Sequence, residues 1–273
     1  MKTRRLLAAA SAFAVLWMIG LVLIRPILML PDISVLGQVA DGGGEIPVRT
    51  LSGRLSHIYS TPTYGEQTRV SLDEISDELI ALTLTTEDST FFSNPGFSPS
   101  AILRAVIQNL ILRRTYSGAS TITQQIVRNI LMPENERFDR SIARKGKEIL
   151  LAVLVNLRYD KETILTLYLN EIYYGRNATG AEKAAEVYFG KHASEVTLPE
   201  AAFIAGLPQA PNYYGYDAGA GSSRQREVLW LLSRAVRDEK CIRLGSGNDP
   251  RTYCPDPEVI RGYLTAGQAG AEK

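Results

Sequence analysis

The sequence predicts a mainly α-helical domain behind a single N-terminal transmembrane helix, and three observations carry that reading. Leu6 to Ile24 form an uninterrupted apolar run without a charge. Further on, Ser71–Glu74, Thr179–Glu182 and Thr197–Glu200 each have the Ser/Thr-x-x-Glu spacing that closes a helix N-terminus. Apolar residues then recur at helical spacing, as at Leu72, Ile75, Leu79 and Leu82. With 45% hydrophobic and 22% charged residues over 273 positions, the chain has ample length for a core, and the composition excludes disorder. A net charge of only +1, without a zinc-finger or similar signature, excludes a generally basic nucleic-acid binder.

Residues 1–5 read as a basic tail containing Lys2, Arg4 and Arg5. The run at 6–24 would reach roughly 28 Å as a helix, about the hydrocarbon thickness of a bilayer. The flanking cations keep the tail in the cytoplasm and send the remainder across. A cleaved signal peptide competes, but its apolar region is usually shorter and ends at a small-x-small site. Arg25-Pro26 follows here, which favours an uncleaved anchor. Residues 25–65, with Pro26, Pro31, Gly42–Gly44, Pro47 and Pro62, read as a juxtamembrane connector with a short strand at Leu55–Tyr59. His57 stands alone there and is read as structural or merely exposed.

The domain itself spans 66–240. Its first helix, opened at Ser71, delivers Glu87 and Asp88 at its C-terminal end, an electrostatically poor place for carboxylates. Ser98-Pro99 starts a second helix, apolar over much of its circumference from Ala101 to Leu112. Ser120 is placed to cap the next, with Gln124, Gln125 and Arg128 on its polar side, Ile122, Ile126 and Ile130 opposite, and Pro133 ending it. A helix from about Arg140 to Leu157 puts Arg144, Lys145 and Glu148 on one surface, and its apolar run Ile149–Val155 implies burial all round. Asp160 opens a helix over Thr163–Tyr174, ended by Gly175. The helices opened by the other two capping boxes end near Gly190 and Gly206, and Ser223–Lys240 is the last amphipathic helix. Residues 241–273 form a tail, turn-rich from Gly245 to Pro257. Cys241 and Cys254 are the only cysteines; the lack of Cys-x-x-Cys disfavours a zinc or redox site, and a disulfide between them stays open.

Chemistry concentrates between Thr86 and Glu148. Glu87 and Glu148 flank an amide-rich segment and a run of cations: Arg104 to Lys147 contains nine Lys/Arg against three Asp/Glu. An anion withdrawn from water needs paired cations and hydrogen-bond donors, so this asymmetry points to a ligand such as phosphate. Spacing alone favours a plainer reading of Glu148, a structural ion pair with Arg144.

Five ordered motifs then resemble the peptidoglycan glycosyltransferases of glycosyltransferase family 51. They are Glu87-Asp88-x-x-Phe91 with Gly96; Gly118-x-Ser120-Thr121-Ile-Thr-Gln124-Gln125-x-x-Arg128-Asn129; Arg144-Lys145-x-x-Glu148; Tyr168-Leu-Asn170 running to Gly175; and Glu200 to Pro211. The resemblance implies a lysozyme-like helical fold that polymerises lipid II with inversion and releases undecaprenyl pyrophosphate. It makes Glu87 the general base and Glu148 the second acid. Arg128, Arg144 and Lys145 would hold pyrophosphate; Asp88, Phe91, Asn94, Gly96, Ser120, Thr121, Gln124, Gln125, Asn129 and Asn170 would bind sugars or shape the groove. No cofactor is required, although Mg or Mn is compatible. The implied partners are lipid II, the growing glycan, the membrane, and transpeptidases or division and elongation proteins, with no nucleic acid. The segment Phe97–Leu112 is expected either to dip into the membrane or to be a plain core helix.

Three positions depart from the family pattern: Asn94 stands where His is usual, Thr166 where Glu is usual, and Arg128 where Lys is frequent. An Asn cannot titrate near neutrality. These departures motivate a competing reading as a non-catalytic scaffold, and a third reading is a lysozyme-like hydrolase. No Ser-x-x-Lys followed by Lys-Thr-Gly occurs, so either the monofunctional form of the enzyme or a fragment of a longer one is expected.

Overall fold

The computed structural model describes residues 31–40, 47–49, 55–57, 66–104, 120–137, 139, 141–238, 241–248 and 250–269. The expected membrane span at 6–24 and most of the apolar segment to Leu112 lie outside them. Among the described residues, no helix is long and apolar enough to cross a membrane.

The connector contains more order than its Pro and Gly content suggests. Helix α1 covers Val35–Ala40, and strands β1 (Pro47–Arg49) and β2 (Leu55–His57) pair antiparallel, Val48 opposite Ser56. Strand β3 (Glu66–Gln67) enters the domain. The Ser71–Glu74 box closes a 3-10 turn over Leu72–Glu74 rather than the long helix expected there. Ile75 is extended and buried, which interrupts the helical path. Helix α2 begins instead at Asp77 and runs to Glu87, where Ser76 Oγ accepts from Leu79 N at 3.2 Å and two acids favour the N-terminal dipole. Every residue from Leu79 to Leu84 is buried, so α2 is the core's central rod. Residues 99–104 are helical, with Ser98 Oγ accepting from Ala101 N as its Ser-Pro start predicts.

Thr121, and not Ser120, caps α3 (Ile122–Ile126), and a capping box with Gln124 completes the start. The chain then loosens into a π-helical turn, Val127–Leu131, before Pro133. Helices α4 (Glu134–Arg137), α5 (Ile142–Arg158) and α6 (Lys161–Glu171) follow. Burial on α5 is one-sided: Leu151, Ala152 and Val155 are buried, while Ile142 and Leu157 are exposed, so the helix is not surrounded as its apolar run implied.

The helix expected to reach Tyr174 stops at Glu171. Strands β4 (Tyr173–Gly175) and β5 (Ala178–Thr179) take over, joined by Arg176 and Asn177 at φ 45° and 62°. Two successive left-handed residues make the two-residue turn that antiparallel strands favour. The sheet order is β3-β5-β4, with β3 parallel to β5. Thr179 belongs to this sheet and caps nothing; Gly180 precedes α7 (Ala181–Phe189), which Gly190 ends in the left-handed region. The Thr197/Glu200 box does open α8 (Leu198–Gly206). Helices α9 (Pro211–Tyr216) and α10 (Ala218–Asp238) follow, and α8 and α10 pack on α2.

The C-terminal segment is a folded part of the molecule. Cys241 and Cys254 form a disulfide across a hairpin of β6 (Ile242–Arg243) and β7 (Thr252–Tyr253), and α11 (Pro257–Ala269) packs on α10. Leu244 and Ile260 from this segment join the core.

Gly180 sits at φ +88°, donates its N–H to Ile172 O at 2.9 Å, and a Cβ there would meet Asn170 O at 2.8 Å. Gly180→Ala is expected to cost roughly 1–3 kcal/mol in chemical denaturation. An unchanged unfolding midpoint would contradict this account of the α6–α7 junction.

Candidate active site

Helix α2 ends at Glu87 because Asp88 leaves helical geometry, at φ −160° and ψ 79°. That exit places both carboxylates on a cleft of about 200 Å³, lined also by Thr85, Thr86, Ser120, Thr121 and Arg104. Hydroxyls dominate these walls. Glu87 Oε2 accepts from Gln125 Nε2 at 2.7 Å. Burial pushes its proton affinity above the ordinary carboxylate value, while the Gln125 bond and the charges of Arg224 and Arg128 pull the other way. A sheltered carboxylate of raised pKa that still faces a cleft has the character of a proton acceptor.

Asp88 has a different task. Both of its oxygens accept from Asn94 Nδ2 at 3.0 Å, and Thr90 Oγ1 and Ile122 N donate to it as well. Asn94 completes the knot, since its Oδ1 accepts from Gly96 N at 2.9 Å and its carbonyl accepts from Lys161 Nζ at 2.8 Å. The amide donates and accepts at once without titrating, so the loop is tied at this position although the usual imidazole is absent. Phe91 lies buried beneath Lys161, whose Nζ is 4.6 Å from the ring centroid, and supports the loop instead of facing a ligand. Gly96, at φ +101°, passes so close to Ala152 O that a side chain has no room, and its carbonyl accepts from Thr121 Oγ1 at 2.6 Å.

Burial lowers the pKa of Lys161 to about 8, with Asp88 acting against that shift. Lys161 was not anticipated. The signal was there: a cation directly after the N-cap Asp160 faces the unfavourable end of a helix dipole. Arg224 on α10 also acts on Glu87, and nothing distinguished it from the other arginines of that helix.

The amide-rich segment divides between cleft and scaffold. Gln125 holds Glu87, whereas Gln124 is fully buried and its Oε1 accepts from Thr121 N in the capping box. Arg128 and Asn129 ride half-buried on the π turn. Such turns re-aim side chains out of register with the helix before them. Arg128 is near enough to act electrostatically on both Glu87 and Lys145, so the acid and the cations belong to one neighbourhood.

Glu148 is wholly buried, with Arg144 Nη1 on Oε2 at 2.6 Å and Lys145 Nζ on Oε1. Lys145 Nζ also donates to Ser120 Oγ at 3.0 Å, and Ser120 lines the cleft. The second acid therefore stands behind the cleft wall and reaches it through Lys145 and Ser120. Asn170 is committed elsewhere: its amide bonds both Val70 N and Val70 O, tying the entering strand to α6. Thr166 Oγ1 donates to Glu162 O at 2.8 Å within its own helix. Among the described residues, no group of three or more His, Cys, Asp or Glu is arranged to hold a metal ion.

A raised pKa means that the folded state binds the Glu87 proton more tightly than the unfolded chain, so stability falls as pH climbs above the ordinary value of 4.5. Glu87→Gln is expected to raise the unfolding midpoint at about pH 7 and to leave it unchanged at about pH 3, where both states are protonated. A Glu87→Gln protein less stable at neutral pH would contradict the desolvated carboxylate.

The chain is similar to several known proteins. The family described as Transglycosylase matches residues 54–234. Penicillin-binding protein 1A of Aquifex aeolicus is 40% identical over 191 residues, covering 70% of this chain and 25% of that protein. The Escherichia coli protein of the same name is 40% identical over 205 residues, covering 73% and 23%. The chain thus spans about a quarter of the length of these relatives. A crystal structure of penicillin-binding protein 1A from Haemophilus influenzae aligns with 78% of this chain and 19% of its own at 20% identity and a TM-score of 0.38, too distant to add to the fold. The match over most of the domain places the chain in the transglycosylase family, as a peptidoglycan glycosyltransferase domain of cell wall synthesis.

Proposed function

We propose that this domain polymerises lipid II into β-1,4 glycan strands at the outer face of the plasma membrane, held there by residues 6–24. The observation that carries the reading is Glu87: a sheltered, cleft-facing carboxylate gripped by Gln125, with a cation cluster in electrostatic reach. In the proposed step Glu87 takes the proton of the acceptor's 4-hydroxyl. The freed oxygen forms a bond to the donor's anomeric carbon, and the bond from that carbon to diphosphate breaks, its electron pair leaving with undecaprenyl pyrophosphate. Arg128, Arg144 and Lys145 offset the growing charge on the diphosphate. One displacement from the face opposite the leaving group inverts the α-linked donor to a β-linked product, with the acceptor hydroxyl where an inverting hydrolase places water.

Glu148 is assigned a supporting part in this scheme. A buried carboxylate bonded to two cations fixes where they point, and its own proton chemistry is not needed. The knot at Asn94 supports an intact catalytic loop over a scaffold that has lost its chemistry.

Purified full-length chain in detergent, given lipid II, is expected to yield glycan strands, and Glu87→Gln to lower that rate by about 10²–10⁴-fold. Wild type that makes no strands, or a Glu87→Gln protein that keeps full rate, would overturn the proposal. Release of soluble fragments from mature wall by the wild type would point to hydrolysis instead.

A further inference from the structure

The segment after Asp238 lies beyond the residues matched by the family, yet it folds back onto the elements that carry the site. Its hairpin grips three of them. Arg251 pairs with Asp73 at 3.2 Å and with Asp77, at the start of α2. Ser246 donates through its N–H at 2.5 Å and its hydroxyl at 3.1 Å to Glu162, in the first turn of α6. Arg243 braces the hairpin turn through Gly245 O and Gly247 O, and its guanidinium carbon lies 5.9 Å from the ring centroid of Phe92.

The Arg243 and Ser246 grips converge on the loop beside Glu87, while Arg251 holds the opposite end of α2. Phe92 packs edge-on against Phe91 at 5.1 Å. Phe91 lies under Lys161, the residue directly before the Glu162 that holds Ser246, and Lys161 in turn holds Asn94. Asn94 holds Asp88. The disulfide closes the open end of the hairpin, and Leu244 seats it in the core. A two-stranded ribbon with two residue pairs is marginal by itself, so its grip depends on that covalent closure.

We propose that the Cys241–Cys254 hairpin is a brace for the Asp88–Gly96 loop, with Arg243 as its positioning residue, and that turnover therefore requires the disulfide. What the loop contributes to turnover rests on the transfer reading above; what holds the loop does not.

The test compares the full chain in detergent, oxidised and reduced with dithiothreitol, with Cys241→Ala/Cys254→Ala, Arg243→Ala and Arg243→Lys, all well below their unfolding midpoints. Amide exchange at Phe91, Ser93, Asn94 and Gly96, each hydrogen-bonded within the loop, is read beside lipid II kinetics. Loss of the disulfide, or Arg243→Ala, is expected to speed exchange of those amides by about tenfold or more and to lower kcat severalfold with little change in KM. Arg243→Lys, which keeps a cation over Phe92, is expected to recover most of both. Faster exchange confined to 241–254, with loop protection and kcat unchanged, would overturn the brace. So would a loss expressed in KM alone. A chain that polymerises nothing when oxidised, but whose loop amides still exchange faster on reduction, would retain the brace and remove the transfer reading.

Discussion

One hydrogen bond organises this molecule: the Gln125 amide on the Glu87 carboxylate, 2.7 Å long and largely out of water. A carboxylate withdrawn from solvent is unstable as an anion unless something compensates it, and full compensation would make it a poor base. The structure strikes the balance with one neutral donor at contact and two cations, Arg128 and Arg224, at a distance. Much of the fold serves that arrangement. Helix α2 is buried through its centre so that its end is fixed, and α3 starts at Thr121 so that Gln125 falls one turn in. Arg224 comes from α10, which packs on α2.

The second acid shows the opposite solution. Glu148 is buried more deeply than Glu87 but has a cation on each oxygen. Two acids in one neighbourhood thus acquire different chemistry from their surroundings: one is kept avid for a proton, the other is spent holding Arg144 and Lys145. Lys145 also touches Ser120 on the cleft wall, and both cations are anchored on the one carboxylate. Removing Glu148 would leave Arg144 without its carboxylate and Lys145 with Ser120.

Much of the site was legible because its chemistry depends on local spacing. Glu87 at the unfavourable end of a helix and Arg144, Lys145 and Glu148 on one helical face could be placed without coordinates. Contacts made across the chain could not. Asn170 reads as a site residue in its motif, but it spends its amide on Val70, a hundred residues earlier. Lys161 and Arg224 reach the site only because α6 and α10 pack where they do. Boundaries failed where tertiary burial overrode a local signal: Ile75 is drawn into the core and breaks the expected first helix, and the Tyr173-Tyr174 pair prefers a strand. The hairpin at 242–253 was not legible in sequence because its order comes from one disulfide and a few long-range ion pairs.

The central claim is that the cleft carboxylate is a desolvated proton acceptor that sets the rate of transfer. Carbon-13 NMR of the Glu87 carboxyl, read beside the acid limb of kcat/KM on lipid II, tests it most directly. The account predicts that Glu87 titrates above the ordinary 4.5 and that the acid limb falls at the same pH. A Glu87 carboxyl titrating at or below that value, or an acid limb that does not follow it, would contradict the account.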